Sequence, residues 1–498
     1  MSKQDTTKAP PVFVMIVLVA PFIKNLKKRE DFSFLCVLHN KKTILLKEDR
    51  MMKRNAVFKR VFCAVLVLWM LFVVGCTDSP SLTPDIPEQD EEKTEFENES
   101  PAAPEQDQNE PNDKKEYTAK QFDFDAASDP FAASQMAFSL ELFQRSVAAA
   151  GAGESTLISP LSVSMALAMT ACGASGQTRE QMETVLARGI TFEELLMGMG
   201  AMQQKMQENQ KVTTQVANSL WLRQSAIRLE ETFLRHNEEY FGSVVYERPF
   251  NNQTLEEINS WVSDHTKGMI PSVLEEITPA TMMYLVNALY FEAKWSQPYR
   301  YVEAGTFTTA DGTVKQVKTM SSTEAYYDDG LAQGFSKYYD GYGYQFVALL
   351  PNEGISIEEY VAGLTYENLF GMLREDGVSG YAARATIPQF ELQYDDSGRM
   401  VQILKDMGMV DAFEASQADF SAMGSATDGP LYVNSVIHKT AMSVDENGTC
   451  AAAATQVGMG AGGMPEIVYL TFDRPFVCMI VDSKTKIPLF MAVVTDVD

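Results

Sequence analysis

Asp445-Glu446-Asn447-Gly448-Thr449-Cys450-Ala451-Ala452-Ala453-Ala454-Thr455 lies a few dozen residues before the C-terminus and holds almost nothing but small side chains after Glu446. Such a run suits a strand that must slide between others, because bulk or charge there would oppose burial. Downstream, Val457-Gly458-Met459-Gly460-Ala461-Gly462-Gly463-Met464 is too rich in glycine to pack and reads as an exposed tip. Leu470 to Val481 then returns to buried-strand chemistry. An exposed tip on an insertable arm has the form of a bait.

The chain has 498 residues, 45% of them hydrophobic, enough for a large core, and length alone would suggest about three domains. The formal net charge is −26, unevenly spread. The first 76 residues carry 14 Lys+Arg against 5 Asp+Glu, leaving 27 against 62 after Cys76, a net −35. A surface of that sign repels nucleic acid and anionic lipid.

In the basic N-terminus, Met51-Met52-Lys53-Arg54 and Lys59-Arg60 precede an apolar run from Val61 to Val74. The run is too short to span a membrane comfortably but suits a signal-peptide core. It ends in Val73-Val74-Gly75-Cys76, which resembles a bacterial lipobox with Cys76 as the lipidated residue. Residues 51–76 are therefore expected to be a lipoprotein signal, with residues 1–50 an over-extended start. Residues 77–128 are expected to be an acidic tether, since Thr77 to Glu116 holds 14 acidic residues, 3 lysines and scarcely a large apolar side chain. The folded part is expected over 129–498. It contains Cys172, Cys450 and Cys478, which make no disulfide framework; Cys172 and Cys478 sit among apolar residues. No metal-like His/Cys spacing appears.

Met136, Leu140, Phe143 and Val147 place an amphipathic helix over Ser134 to Ala150. Ser159-Pro160-Leu161-Ser162 opens a second, nearly all-apolar helix, and Thr178-Arg179-Glu180-Gln181 reads as the cap of a third. Leu255 to Lys267 reads as a helix; Gln215–Leu222, Tyr284–Phe291, Gln345–Leu350 and Val468–Leu470 read as strands. Helices come first and strands dominate late, an order that favours α+β without regular βαβ alternation. The chain lacks the GxSxG, HExxH and Walker signatures and has no GxGxxG placed between a strand and a helix, and local sequence pairs none of His236, His265 and His438 with a nucleophile. An enzyme is not expected, nor is a cofactor.

From about Asp129 to Asp498 the chain resembles a serpin, in segments that follow the family in order. They include Leu157-Ile158-Ser159-Pro160-Leu161-Ser162, Ala217-Asn218-Ser219-Leu220-Trp221, and Ile258-Asn259-Ser260-Trp261-Val262. Leu285-Val286-Asn287-Ala288-Leu289-Tyr290-Phe291 with Lys294-Trp295, Ile387-Pro388-Gln389-Phe390, Asp473-Arg474-Pro475-Phe476 and Leu489-Phe490-Met491 continue the series. The resemblance implies one α+β domain with three β-sheets, about nine helices and a C-terminal reactive loop above a five-stranded main sheet. It also implies a monomer whose partner is a target serine protease. The protease cleaves the loop, forms an acyl-enzyme, and is dragged to the far pole as the loop enters the sheet, a mechanism already well described for the fold.

Residue by residue, the resemblance makes Glu446, Gly448, Thr449, Ala451, Ala452, Ala453 and Ala454 the hinge. It puts Ser159, Ser162, Asn287 and His438 in a polar shutter beneath the central strands, and Trp295 at the breach where the loop enters. Counting from Glu446 places the reactive bond at Gly462-Gly463, with Met459, Ala461 and Met464 as alternatives. A tip without Arg, Lys or large aromatics implies elastase-like or subtilisin-like targets. Two positions depart from the family: Cys450 where an acidic residue is common, and Gln389 where a lysine often faces the hinge glutamate. A non-inhibitory serpin, cleaved as substrate or serving as a binding protein, and a cysteine-protease inhibitor are the alternatives. The expected location is a bacterial cell envelope, with the chain lipid-anchored in the outer membrane and either periplasmic or surface-exposed.

Overall fold

The structure, a computed structural model, describes residues 130–209, 211–224, 227–277, 281–427, 429–449 and 465–497. Residues 1–129, Cys450, Ala451 to Ala454 and the bait positions Met459, Ala461, Gly462, Gly463 and Met464 lie outside the described residues, and so does Cys76.

Helix α1 (Pro130–Ala150) buries Phe131, Met136, Leu140, Phe143 and Val147 along one stripe. A short strand β1 (Thr156–Ile158) leads into α2 (Pro160–Ala171), whose twelve residues are all buried. Pro160 starts α2 where its missing N–H costs nothing. Helix α3 (Gly176–Ala187) begins three residues earlier than its sequence suggests, after Ser175. Thr178 therefore lies inside the helix, and its Oγ1 accepts a hydrogen bond from Asp419 N (3.0 Å) rather than capping the helix. Helix α4 (Phe192–Glu208) has a complete capping box between Thr191 and Glu194.

The main sheet is built from β2 (Thr213–Arg223), β4 (Val244–Arg248), β5 (Met283–Lys294), β11 (Phe390–Asp395) and the collinear pair β13 (Val436–Ile437) and β14 (Lys439–Val444), with two-residue β15 (Gly448–Thr449) in the order β11-β14-β15-β5-β2-β4. Strands β2 and β5 run antiparallel over ten paired positions, from Thr213↔Glu292 to Leu222↔Met283. Leaving out β15, and counting β13 with β14, gives the five strands that the family resemblance implies.

A nine-stranded sheet stands behind it. Its path runs from β1 through β18 (Pro488–Val494), β17 (Phe476–Asp482), β9 (Tyr344–Pro351), β8 (Ala332–Tyr338), β7 (Val314–Asp328) and β10 (Tyr381–Pro388) to β16 (Glu466–Thr471), with β6 (Val302–Thr308) on β7. Every residue of β9, β17 and β18 is buried, as expected of strands covered on both faces. A third, two-stranded sheet joins β3 (Ile227–Leu229) to β12 (Gly424–Ala426).

The remaining helices are α5 (Glu231–Phe241), α6 (Asn252–His265), α7 (Ile357–Gly363), α8 (Tyr366–Arg374) and α9 (Ser397–Asp406), making nine among the described residues. The α+β class and the serpin-like count of helices and sheets are as expected from the sequence. The large core packs α1 to α4 and the two big sheets together. A separate apolar cluster lies under α6, where Ile258 and Val262 meet Trp221, Tyr284, Val286 and Ile437 of the main sheet. Cys172 and Cys478 are buried free thiols in the main core, and burial pushes the Cys172 thiol up to about 12.

Candidate functional site

The centre of the main sheet is incompletely closed. At one end, β13 pairs in parallel with β5 through Val436↔Leu285 and Ile437↔Val286. At the other end, β15 runs antiparallel to both neighbours, with Thr449 opposite Val444 of β14 and opposite Ala293 of β5, and Gly448 opposite Lys294. Between these two clasps none of the described pairings joins β14 to β5. A narrow gap lies there, lined by Phe291, Ala441, Met442, Ser443, Thr449 and Phe490 among others. Gly448 and Thr449, two of the positions expected to form the hinge, thus sit at one end of this unpaired stretch.

Gly448 is held in this position by backbone proximity, without a left-handed φ. A Cβ built on it would lie 2.1 Å from Ala293 O and 2.8 Å from Lys294 Cα, so no side chain fits. Thr449 is 2% exposed, and its hydroxyl hydrogen-bonds the Tyr339 hydroxyl at 2.7 Å. Its side chain therefore faces inward, on the side shared by alternate residues of a strand.

The turn before β15 is fastened at several points. Asp445 Oδ1 accepts from Asn447 N (2.7 Å) and Gly448 N (3.0 Å), and Asp445 O accepts from Trp295 Nε1 (2.9 Å). Trp295 N donates to Asn447 O (3.0 Å) and Tyr299 N to Glu446 O (2.9 Å). Gln389 Nε2 donates to Glu446 Oε2 at 2.5 Å. Glu446 thus has a partner at the position where the family often has lysine, but a neutral one.

Trp295 follows β5 and is fully enclosed. Its ring stacks on Tyr339 (centroids 4.6 Å apart, planes at 12°) and meets Tyr299 and Phe346 edge-on. Beneath these rings lies Lys337, 1% exposed, with Nζ 4.4 Å from the Tyr299 ring centre and 2.5 Å from Glu324 Oε1. An ammonium is tolerated there because a carboxylate neutralises it and aromatic faces solvate it. Burial pushes the Tyr299 phenol far up, so it stays neutral.

At the other clasp His438 meets the backbone of Ser159. His438 separates β13 from β14 and is 1% exposed; its Nε2 accepts from Ser159 N at 3.1 Å, which fixes the proton of the neutral ring on Nδ1. Burial lowers its pKa to about 4, against the opposing pull of Asp396 and Asp395. Ser159 and Ser162 are buried at the start of α2. Asn287 lies on β5 directly after Val286, at the register position beside His438, which directly follows Ile437. Three of the sequence-derived hinge positions, Glu446, Gly448 and Thr449, come together with Trp295 at the opposite clasp.

Tyr339, Lys337 and Asp445 are parts of this site that motif reading missed. Tyr339 belongs to Lys337-Tyr338-Tyr339-Asp340-Gly341-Tyr342-Gly343-Tyr344, whose Asp-Gly turn and four tyrosines between buried strands are a legible hairpin signal. Nothing local in that run says that it faces the hinge. Among the described residues no group of three or more His, Cys, Asp or Glu could hold a metal ion.

Comparison with known proteins gives one consistent answer. The family model "Serpin (serine protease inhibitor)" matches residues 133–497. Serpin B10 of Otolemur garnettii is 30% identical over 394 residues, covering 73% of this chain and 98% of its own length. A serpin-like protein of Thermococcus kodakarensis is 32% identical over 361 residues, covering 69% and 80%. The native-state crystal structure of tengpin, a thermophilic serpin, superposes with a TM-score of 0.69 at 35% identity, covering 76% of this chain and 96% of its own. With its motifs in family order and its central sheet parted around a small-residue hinge, the chain belongs to the serpin family.

Proposed function

We propose that this protein is a suicide inhibitor of serine proteases with small apolar specificity pockets, of the elastase or subtilisin kind. A target protease attacks the glycine-rich tip, near Gly462-Gly463, and forms an acyl-enzyme. The freed arm then enters the main sheet between β14 and β5, and the attached protease is carried along and distorted before deacylation. An arm of about 15 residues at roughly 3.3 Å each moves its end some 50 Å.

The observation that carries this reading is the seating of Thr449 between β14 and β5, side chain inward, at the end of a stretch where none of the described pairings joins those two strands. The next inward positions of a continuing strand are Ala451 and Ala453, followed by Thr455, and none is charged or bulky. A charge at such a position would have to be buried without a partner and would stop insertion. We further propose that Cys76 carries a lipid and that the acidic segment 77–128 holds the inhibitor away from a bacterial envelope membrane.

Mixing the chain from Tyr117 onward with pancreatic elastase tests the reading. The expected result is a band that survives boiling in detergent, with release of a C-terminal peptide whose mass locates the bond. Clean cleavage by elastase and by subtilisin, with no such band, would leave a substrate-type serpin and overturn the proposal.

A further inference from the structure

The hydroxyl pair Tyr339–Thr449 has the geometry of a latch on the hinge. Thr449 is the first inward-facing residue of the arm, and the 2.7 Å bond to Tyr339 is made on fully buried groups. Tyr339 is itself rigidly placed. Its ring lies flat on Trp295, it forms a β-bridge with Trp295, and its amide donates to Tyr344 O at 3.1 Å. Asp340 N donates to Lys294 O (2.7 Å) and Ser296 N to Tyr338 O (2.9 Å), which ties the β8–β9 turn to the end of β5. Whatever Tyr339 grips is thereby fixed relative to the strand along which the arm must pair.

Among the described residues of the arm, Thr449 brings a hydroxyl to Tyr339. The neighbours of Thr449 are Gly448 and Cys450, and the next inward positions are Ala451 and Ala453, so the next hydroxyl in the arm is that of Thr455. A slip by one residue in either direction would lose this hydrogen bond and turn every later side chain to the wrong face. Gly448 enforces the same register from the other side, because only glycine fits opposite Ala293 and Lys294.

We propose that Tyr339 is a positioning residue for loop insertion, whose hydroxyl holds the first inserted residues in register in the uncleaved protein. Insertion after cleavage then extends a nucleus that already exists. The latch concerns the intact protein, but its use in trapping rests on the inhibitory reading above.

The full chain carrying Tyr339→Phe, Thr449→Val, Thr449→Ser or the double change Tyr339→Phe/Thr449→Val separates the two ideas. Hydrogen–deuterium exchange of residues 445–449, with no protease present, should quicken about five-fold in each of the first two variants, the worth of one buried hydrogen bond. The serine variant keeps the hydroxyl and should exchange like the parent, and the double variant should exchange no faster than either single. Exchange in β17 should stay unchanged, which a general loss of stability would not allow. With elastase, the first two variants should also consume more inhibitor per protease trapped. Unchanged hinge exchange, or a double variant equal to the product of the singles, would overturn the latch even where covalent complexes form. Faster hinge exchange with no complex from any variant or the parent would leave the latch standing and remove the inhibitory reading.

Discussion

His438 shows how one residue ties stability to pH. Its ring is buried and neutral, with a folded pKa of about 4 against 6.5 for an exposed histidine. Between those values the unfolded chain binds a proton that the folded chain refuses, so stability falls as pH drops from about 6.5 towards 4. Urea unfolding at pH 7 and pH 4.5 should show a loss of about 2–3 kcal/mol from this group. His438→Gln should be less stable than the parent at pH 7 and lose less on acidification. An equal pH slope in parent and variant would mean that the ring is not held neutral. For Ser159 and Ser162 the expectation of a shutter role came only from the family resemblance, because a buried serine at the start of an apolar helix looks alike in sequence whether or not it faces a strand.

At the scale of elements, β15 depends on a single absent side chain. Gly448→Ala would set a methyl group 2.1 Å from Ala293 O, a backbone atom that cannot swing aside. Forcing extra volume into a packed site costs about 1–3 kcal/mol, enough to drive the two-residue strand out of the sheet. Exchange of 445–449 should then rise at least as much as in the latch variants, and more of each encounter with protease should end in cleavage without trapping. A variant with unaltered hinge exchange would mean that β5 yields. The long elements were plain in the sequence: β2 and β5 were recognised to within three residues at each end, because their apolar residues run together between turn signals. The start of α3 was misread because Thr178 and its followers resemble a capping box, whereas the helix starts at Gly176 and Asp419 N engages the threonine.

For the whole molecule, the gap between β14 and β5 makes the native sheet an unfinished structure. Filling it adds a strand with hydrogen bonds on both sides and buries the small-residue arm. Cleavage near Gly462 should therefore raise the melting temperature strongly, by tens of degrees if the full arm enters, given that each kcal/mol is worth a few degrees in a domain this size. The same cleavage of Ala453→Asp should leave it nearly unchanged, because an unpaired carboxylate would block the inward position. Equal melting of intact and cleaved parent would show that the arm stays out.

By itself the sequence determined the fold class, the order of the elements and the chemistry of the arm. Periodicity and side-chain size are local properties, and so are the runs of small residues that make insertion affordable. Only the tertiary structure decided that the hinge is already seated by two residues. It also decided that the Gln389 amide hydrogen-bonds Glu446, and that Tyr339, 110 positions before Thr449, is the hydrogen-bond partner of that threonine. Those facts depend on which strands lie side by side and on how closely two backbones approach, and no short stretch of the chain encodes either.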